Sequence, residues 1–241
     1  MAESPDRRTM TREQAEAAQV DVGLRNYMLR VYNYMALGVA YTGAVSLLVA
    51  SNASVLQFAQ SLSILWLLGL LGMGFMAPKI MTTKSVQAAQ IFFWVHATIL
   101  GLLIAPMIAY HLGANPMLVP KAFFITTGAF VGLSLFGYTT KKDLGPLGTF
   151  CAMALIGLLI VMVVSFFFTT GSMFSLLFSG GVVLLLAGLT AYETQTIKNR
   201  YDAGDSGDVA AKKAIFGAFE LYTNFVVMFI HVLNILGIMN E

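Results

Sequence analysis

Charged side chains are scarce in this 241-residue sequence, at 11% of the total, whereas hydrophobic residues make up 58%. A water-soluble domain of similar length carries about 25% charged residues, because its surface has to be polar. The low charge therefore excludes an ordinary water-soluble domain and indicates that many apolar side chains face lipid. The net charge of +2 is also too small to indicate a nucleic-acid partner.

Residues and motifs that support catalysis or metal binding are equally rare. Cysteine occurs once, as Cys151, so the chain itself cannot form a disulfide. The three histidines lie on separate segments and do not form an evident zinc site. H-E-x-x-H, G-x-S-x-G and Walker motifs are absent, and no general base can be identified for Ser134 or Ser179. We therefore expect neither an enzyme nor a bound cofactor.

Long apolar stretches dominate the rest of the chain. A helix needs about 20 apolar residues to cross a bilayer. Seven stretches meet this requirement, at residues 28–50, 61–78, 86–110, 118–138, 147–168, 173–192 and 214–239. We predict an all-α integral membrane protein with seven transmembrane helices in one domain, residues 25–241. Residues 1–24 are polar and are predicted to form a mobile or surface-lying cytoplasmic segment.

The basic residues predict how the helices are oriented. Cytoplasmic connections of membrane proteins carry an excess of lysine and arginine. With the N-terminus in the cytoplasm, 13 of the 14 basic residues fall on the cytoplasmic side, and the exception is Lys121. A wrong helix count would scramble this distribution, so we predict a cytoplasmic N-terminus and an external C-terminus. The 13 are Arg7, Arg8, Arg12, Arg25, Arg30, Lys79, Lys84, Lys141, Lys142, Lys198, Arg200, Lys212 and Lys213.

Small residues within the stretches predict where helices pack closely. Gly128 and Gly132 form a G-x-x-x-G pair in the fourth stretch, and the second contains Gly69, Gly72 and Gly74. Such residues let helix backbones approach each other in lipid. We interpret them as packing positions, with a functional hinge as the alternative.

The last stretch carries a narrow polar stripe, formed by Glu220, Asn224, His231 and Asn234. At about 100° per residue these four fall within an arc of about 80° and extend along about 21 Å of helix. Ionisable residues inside a membrane are costly and are usually functional or paired. We therefore predict a central last helix whose stripe lines a cavity or pathway. The alternative is that the stripe only forms hydrogen bonds to neighbouring helices.

Three segments together resemble the Bax inhibitor-1 family, especially its bacterial members. They are GYTTKKDLGPLG at residues 137–148, LLLAGLTAYETQTIKNRYD at 184–202 and GAFELYTNFVVMFIHVLNILG at 217–237. The resemblance extends over roughly residues 25–240 and implies a seven-helix fold with a central last helix. It also implies a calcium leak that is sensitive to pH, gated by two aspartates that share a proton on the sixth and seventh helices.

This sequence departs from the family pattern at both aspartates. Glu193 stands at the first position and Asn224, which cannot ionise, at the second. One hypothesis is that Glu220, one turn before Asn224, pairs with Glu193 and that Asn224 donates a hydrogen bond to this pair. The rival is that Glu220 pairs with Lys213 or Arg30, which would leave a closed site that is insensitive to pH.

These observations lead to two expectations about function. The first is a passive, pH-modulated calcium leak, with Glu193 and Glu220 as the sensing acids and the candidate calcium ligands. Asn224 would be their polar neighbour, and His231 a second titrating group. The alternative is a non-conducting regulator that binds membrane proteases or other membrane partners. The expected location is the bacterial inner membrane.

Overall fold

The structure is a computed structural model that describes residues 12–165, 167 and 171–240, with side chains described from residue 22 onward. Every regular element within these residues is an α-helix. Seven helices are long and apolar enough to cross a membrane, as predicted, so the chain is a multi-pass membrane protein. The helices are α1 Arg12–Ala50, α2 Ala53–Ser61, α3 Ser63–Thr83, α4 Val86–Ala114, α5 Leu118–Thr139, α6 Gly145–Ser165, α7 Ser172–Asn199 and α8 Gly207–Ile238.

Several predicted boundaries were wrong, mostly because helices continue past their apolar stretches. The second long helix extends to Thr83 and contains Pro78, while α8 begins at Gly207 rather than residue 214. The Ser206 side chain caps α8, which lets the helix start in polar sequence. The nine-residue helix α2 was not predicted. Since α1 is helical from Arg12, the predicted division at residue 24 falls inside a helix, and residues 1–11 lie outside the described range.

Helix α8 lies at the centre of the bundle, as predicted. It packs against α1, α3, α4, α5 and α7, whereas α6 packs mainly against α7. Fourteen of the 32 residues of α8 are buried, including Leu221, Tyr222 and Leu233, which have no exposed surface. Large apolar side chains such as Phe75 and Leu184 instead point out of the bundle, 87% and 74% exposed, as a surface in contact with lipid requires.

Polar contacts between connections place the predicted cytoplasmic residues at one end of the bundle. Lys212 donates a hydrogen bond to the carbonyl of Thr82 at 3.0 Å, which joins α8 to the end of α3. Gln195 donates to the carbonyl of Lys142 at 2.8 Å, which joins α7 to the α5–α6 connection. We call this the basic end of the bundle. Its orientation in the membrane stays a prediction.

The predicted glycine packing positions were wrong. A Cβ atom added at Gly128 or Gly132 would meet nothing within 4 Å, and the same holds for Gly69, Gly72 and Gly74. The close approaches occur elsewhere: at Gly137 a Cβ would meet the backbone of Ala191, and at Gly148 the ring of Tyr192. Spacing alone could not distinguish glycines facing α7 from glycines facing lipid.

This difference predicts opposite effects of two alanine substitutions in α5. Gly137→Ala should lower the free energy of unfolding by about 1–3 kcal/mol, because the backbones of α5 and α7 have to separate. Gly132→Ala, the matched control, should leave it unchanged or slightly raised, because alanine has the higher helix propensity. Thermal unfolding of both variants in detergent measures the difference. Equal melting temperatures would contradict the packing described for Gly137.

Candidate functional site

The polar stripe of α8 faces α7 along its whole length. Each of its four residues forms a hydrogen bond with a residue of α7 or with Arg200, which directly follows α7. The stripe therefore lies in a helix–helix contact in this structure, and a pathway along it stays a prediction. We call this contact the α7–α8 seam; it is formed by Ser175, Ser179, Glu193 and Arg200 on one side and Glu220, Asn224, His231 and Asn234 on the other.

Glu193 and Asn224 meet in the seam at the two positions where the family resemblance implies aspartates. The Asn224 amide donates a hydrogen bond of 2.6 Å to a carboxylate oxygen of Glu193. Asn224 is 6% exposed and Glu193 is partly buried, so little water competes for this contact. An amide can donate without carrying a mobile proton. The contact therefore forms without the shared proton that two acids would need.

Glu220 pairs with Arg200 at the basic end of the seam. Two hydrogen bonds, of 2.6 and 3.0 Å, join the guanidinium to the two carboxylate oxygens. The side chains of Arg200 and Glu220 are 34% and 19% exposed. Burial lowers the pKa of Arg200, but its hydrogen bonds to Glu220 and the charge of that carboxylate outweigh burial and hold the pKa above its ordinary value. This bidentate geometry is the strongest form of an arginine–carboxylate pair.

Neither hypothesis about Glu220 named this partner. Lys213 pairs instead with Asp205 at 2.6 Å and also donates to the carbonyl of Arg200 at 3.0 Å. Among the described side chains, no hydrogen bond joins Glu220 to Glu193. A signal for Arg200 was present in the sequence, because it follows Glu193 by seven residues and so lies two turns along the same face of α7. Treating Arg200 only as a loop charge hid this spacing.

In the half of the seam away from the basic end, two serines of α7 form hydrogen bonds with the polar residues of α8. His231 Nδ1 lies 3.1 Å from the Ser179 hydroxyl, and the Asn234 amide donates to the hydroxyls of Ser175 and Ser179, both at 2.9 Å. A histidine beside Ser179 corrects the expectation that this serine has no basic neighbour. Ser179 is only 1% exposed, however, so its hydroxyl is inaccessible to a substrate. The titrating role of His231 stays a prediction.

A second polar cluster lies on another face of α7, one residue beyond Glu193. The Ser134 hydroxyl is 3.0 Å from that of Thr194 and 2.7 Å from that of Tyr32. These three residues connect α1, α5 and α7. Sequence reasoning missed them, because serine, threonine and tyrosine are common in membrane helices and no spacing distinguishes them.

The donor set of the seam limits what it can bind in the described conformation. Within the described residues, no three His, Cys, Asp or Glu side chains cluster as metal ligands. Calcium takes six to eight oxygen ligands, whereas Glu193 and Glu220 each accept a hydrogen bond from a protein donor. The seam is therefore closed in this structure. Calcium binding at Glu193 and Glu220 stays a prediction that requires these contacts to open.

Comparison with known proteins gives matches along almost the whole chain. The family described as "Inhibitor of apoptosis-promoting Bax1" matches residues 24–241. The chain is 34% identical over 219 residues to an uncharacterized protein of Rickettsia prowazekii, covering 90% of this chain and 91% of that protein. It is 30% identical over 226 residues to the inner membrane protein YbhL of Escherichia coli, covering 91% and 94%. The similarity therefore includes the whole helix bundle and not the seam alone.

The amide at position 224 leads to a prediction about pH and stability. Asn224→Asp places a second carboxyl against Glu193, and two carboxylates in contact cannot both ionise without a large cost. At neutral pH the folded variant should therefore keep a proton on this pair of carboxyl groups, whereas in the unfolded chain both groups are ionised. Since the folded state then binds more protons, stability should fall as pH rises, and more steeply than in the wild type.

Thermal unfolding in detergent, from mildly acidic to mildly alkaline pH, measures this slope. Asn240→Asp makes the same chemical change at an exposed position and serves as the control. Parallel curves for Asn224→Asp and the wild type would contradict the contact between Glu193 and residue 224.

Proposed function

Because this chain belongs to the Bax inhibitor-1 family, we propose that it mediates a passive cation leak, with calcium among the permeant cations, and that pH modulates this leak. The observation that carries the proposal is the carboxylate of Glu193, held inside the α7–α8 seam by Asn224 at 2.6 Å. A partly buried acid on the central contact of a membrane bundle is the group that a passing cation would use. The similarity to YbhL favours the bacterial inner membrane as its location.

In the proposed mechanism the two acids have different roles. Glu193 is the cation-binding acid, because its only described hydrogen bond comes from a neutral amide. Glu220 belongs to a latch with Arg200, which joins α8 to the end of α7 through two charge-assisted hydrogen bonds. A cation that enters from the basic end has to pass this latch to reach Glu193. Opening the latch also frees the carboxylate of Glu220 as a second oxygen ligand.

Protonating Glu220 and protonating Glu193 have opposite effects on the proposed leak. Protonating Glu220 removes the charge that holds Arg200, so acid weakens the latch. Protonating Glu193 removes the charge that attracts a cation, so acid also weakens cation binding. As pH falls from alkaline values, protonation of Glu220 should increase the flux. At lower pH, protonation of Glu193 should decrease it, so the leak should have a pH optimum.

A non-conducting regulator of membrane proteases or other membrane partners is the second candidate. The observation that favours it is the closed seam, in which every polar residue of the stripe already has a protein partner. In such a protein the seam would hold the bundle together, and function would depend on a lipid-facing surface.

Calcium entry into proteoliposomes at mildly acidic, neutral and mildly alkaline pH distinguishes the two candidates. For the leak, Glu193→Gln should lower flux about tenfold at neutral and mildly alkaline pH, since one interaction with a charged group contributes about 1.5–3 kcal/mol. The effect should be smallest at mildly acidic pH, where Glu193 of the wild type is protonated. Glu220→Gln should raise flux at alkaline pH, because the latch no longer closes. Asp208→Asn changes an exposed acid outside the seam and serves as the control.

Flux no greater than in empty liposomes, from protein verified as folded, would overturn the leak and favour the regulator. Flux that keeps the pH dependence of the wild type in both glutamine variants would show that these acids are structural.

A further inference from the structure

An open apolar groove lies between α1 and α5, away from the α7–α8 seam. Its volume is about 1080 Å³, and Phe225 of α8 forms part of its floor. The groove exists because α1 presents small side chains there, Ala36, Ala40 and Gly43, at spacings of four and three residues that place them on one helix face. A Cβ atom added at Gly43 would meet nothing within 4 Å.

The groove continues along α1 as a second, smaller cavity. This cavity has a volume of about 270 Å³ and shares Val39, Gly43, Phe123 and Phe225 with the first. The two together form a long apolar slot that begins at Arg25. Its length suits an extended apolar chain.

Positive charge is concentrated at one end of the slot. Arg25 lines the groove there and is exposed. Tyr138 lines the same groove, and the Lys198 ammonium lies 4.9 Å from the centroid of its ring while donating to its carbonyl at 2.8 Å. Lys198 does not itself line the groove but lies beside this lining residue. The slot is therefore apolar along its length and has the cation Arg25 at its mouth.

We propose that this groove binds one anionic phospholipid, with an acyl chain along α1 and the phosphate beside Arg25. An anionic headgroup complements the charge of Arg25, and an acyl chain complements the apolar walls. This proposal does not depend on the leak and holds equally for a non-conducting protein.

Native mass spectrometry of the full chain in detergent tests the proposal. The protein is titrated with phosphatidylglycerol or phosphatidylcholine that carry the same acyl chains. Wild type should retain one phosphatidylglycerol in preference to phosphatidylcholine. Gly43→Leu fills the slot and should weaken retention of both lipids about tenfold, because several methylene groups lose their contacts. Gly128→Leu is the matched control, since Gly128 has open space around it but does not line the groove.

A substitution of Arg25 tests the proposed contact with the lipid headgroup. Arg25→Gln should weaken retention of phosphatidylglycerol more than that of phosphatidylcholine, whose choline already compensates the charge of its phosphate, and should therefore reduce the preference for phosphatidylglycerol. Arg30→Gln removes a nearby exposed charge that does not line this groove, and it should keep the preference. Equal retention by Gly43→Leu and Gly128→Leu would overturn the proposal, as would an unchanged preference in Arg25→Gln.

A chemical measurement keeps the test independent of how well the leucine variant folds. Cysteine is placed at residue 43 by Gly43→Cys, in a chain that also carries Cys151→Ala, and its rate of modification by a small maleimide is followed. Added phosphatidylglycerol should slow this reaction about tenfold, as expected for a site that is occupied most of the time. Gly128→Cys should react at the same rate with and without lipid. Equal rates at residue 43 would overturn the proposal.

Discussion

The hydrogen bond between Asn224 and Glu193 fixes how the central helix sits against its neighbour. Inside a bilayer a carboxylate or an amide without a partner is strongly destabilising, because lipid offers no hydrogen bonds. Moving α8 by one turn relative to α7 would separate Asn224 from Glu193 and would also separate Glu220 from Arg200. The seam therefore has one favourable register. Since α8 also packs against α1, α3, α4 and α5, this register helps to position most of the bundle.

An amide at position 224 changes the physics of the contact without changing its geometry. Two facing acids can form a hydrogen bond only while they share a proton, so their contact is conditional on pH. The Asn224 amide supplies a permanent donor to Glu193 at 2.6 Å. This chain therefore keeps the helix contact of an acid pair while removing one of its two titrating groups. Any sensitivity of the seam to pH has to arise from the remaining acids, Glu193 and Glu220.

The fold could be predicted largely from the sequence because the bilayer imposes a length on every apolar helix. Seven long helices and the central position of the last one follow from apolar runs and from one polar stripe. Helix ends could not be predicted as well, since the headgroup region tolerates both polar and apolar residues. The nine residues of α2 are too short for the length rule to detect.

The site was predictable only in part, because a helical wheel gives a direction but no partner. The stripe of α8 identified the residues that face inward, and the family resemblance placed Glu193 opposite Asn224. Pairing Glu220 required the antiparallel arrangement of α7 and α8, in which a residue beyond the end of α7 meets one a turn earlier on α8. The prediction of close-packing glycines was wrong for the same reason. Gly132 and Gly137 look equivalent in sequence, and only the position of α7 distinguishes them.

The ionised side chains of the seam do not balance in charge. Glu193 and Glu220 contribute two negative charges when both are ionised, and Arg200 contributes one positive charge. Lys213 adds none, because Asp205 neutralises it at 2.6 Å. One negative charge is left without compensation in a region of low dielectric, where isolated charges are costly. Protonation of Glu193 or Glu220 removes that cost, and in the proposed leak a cation bound in the opened seam would remove it as well. Protons and cations would then compete for the same site.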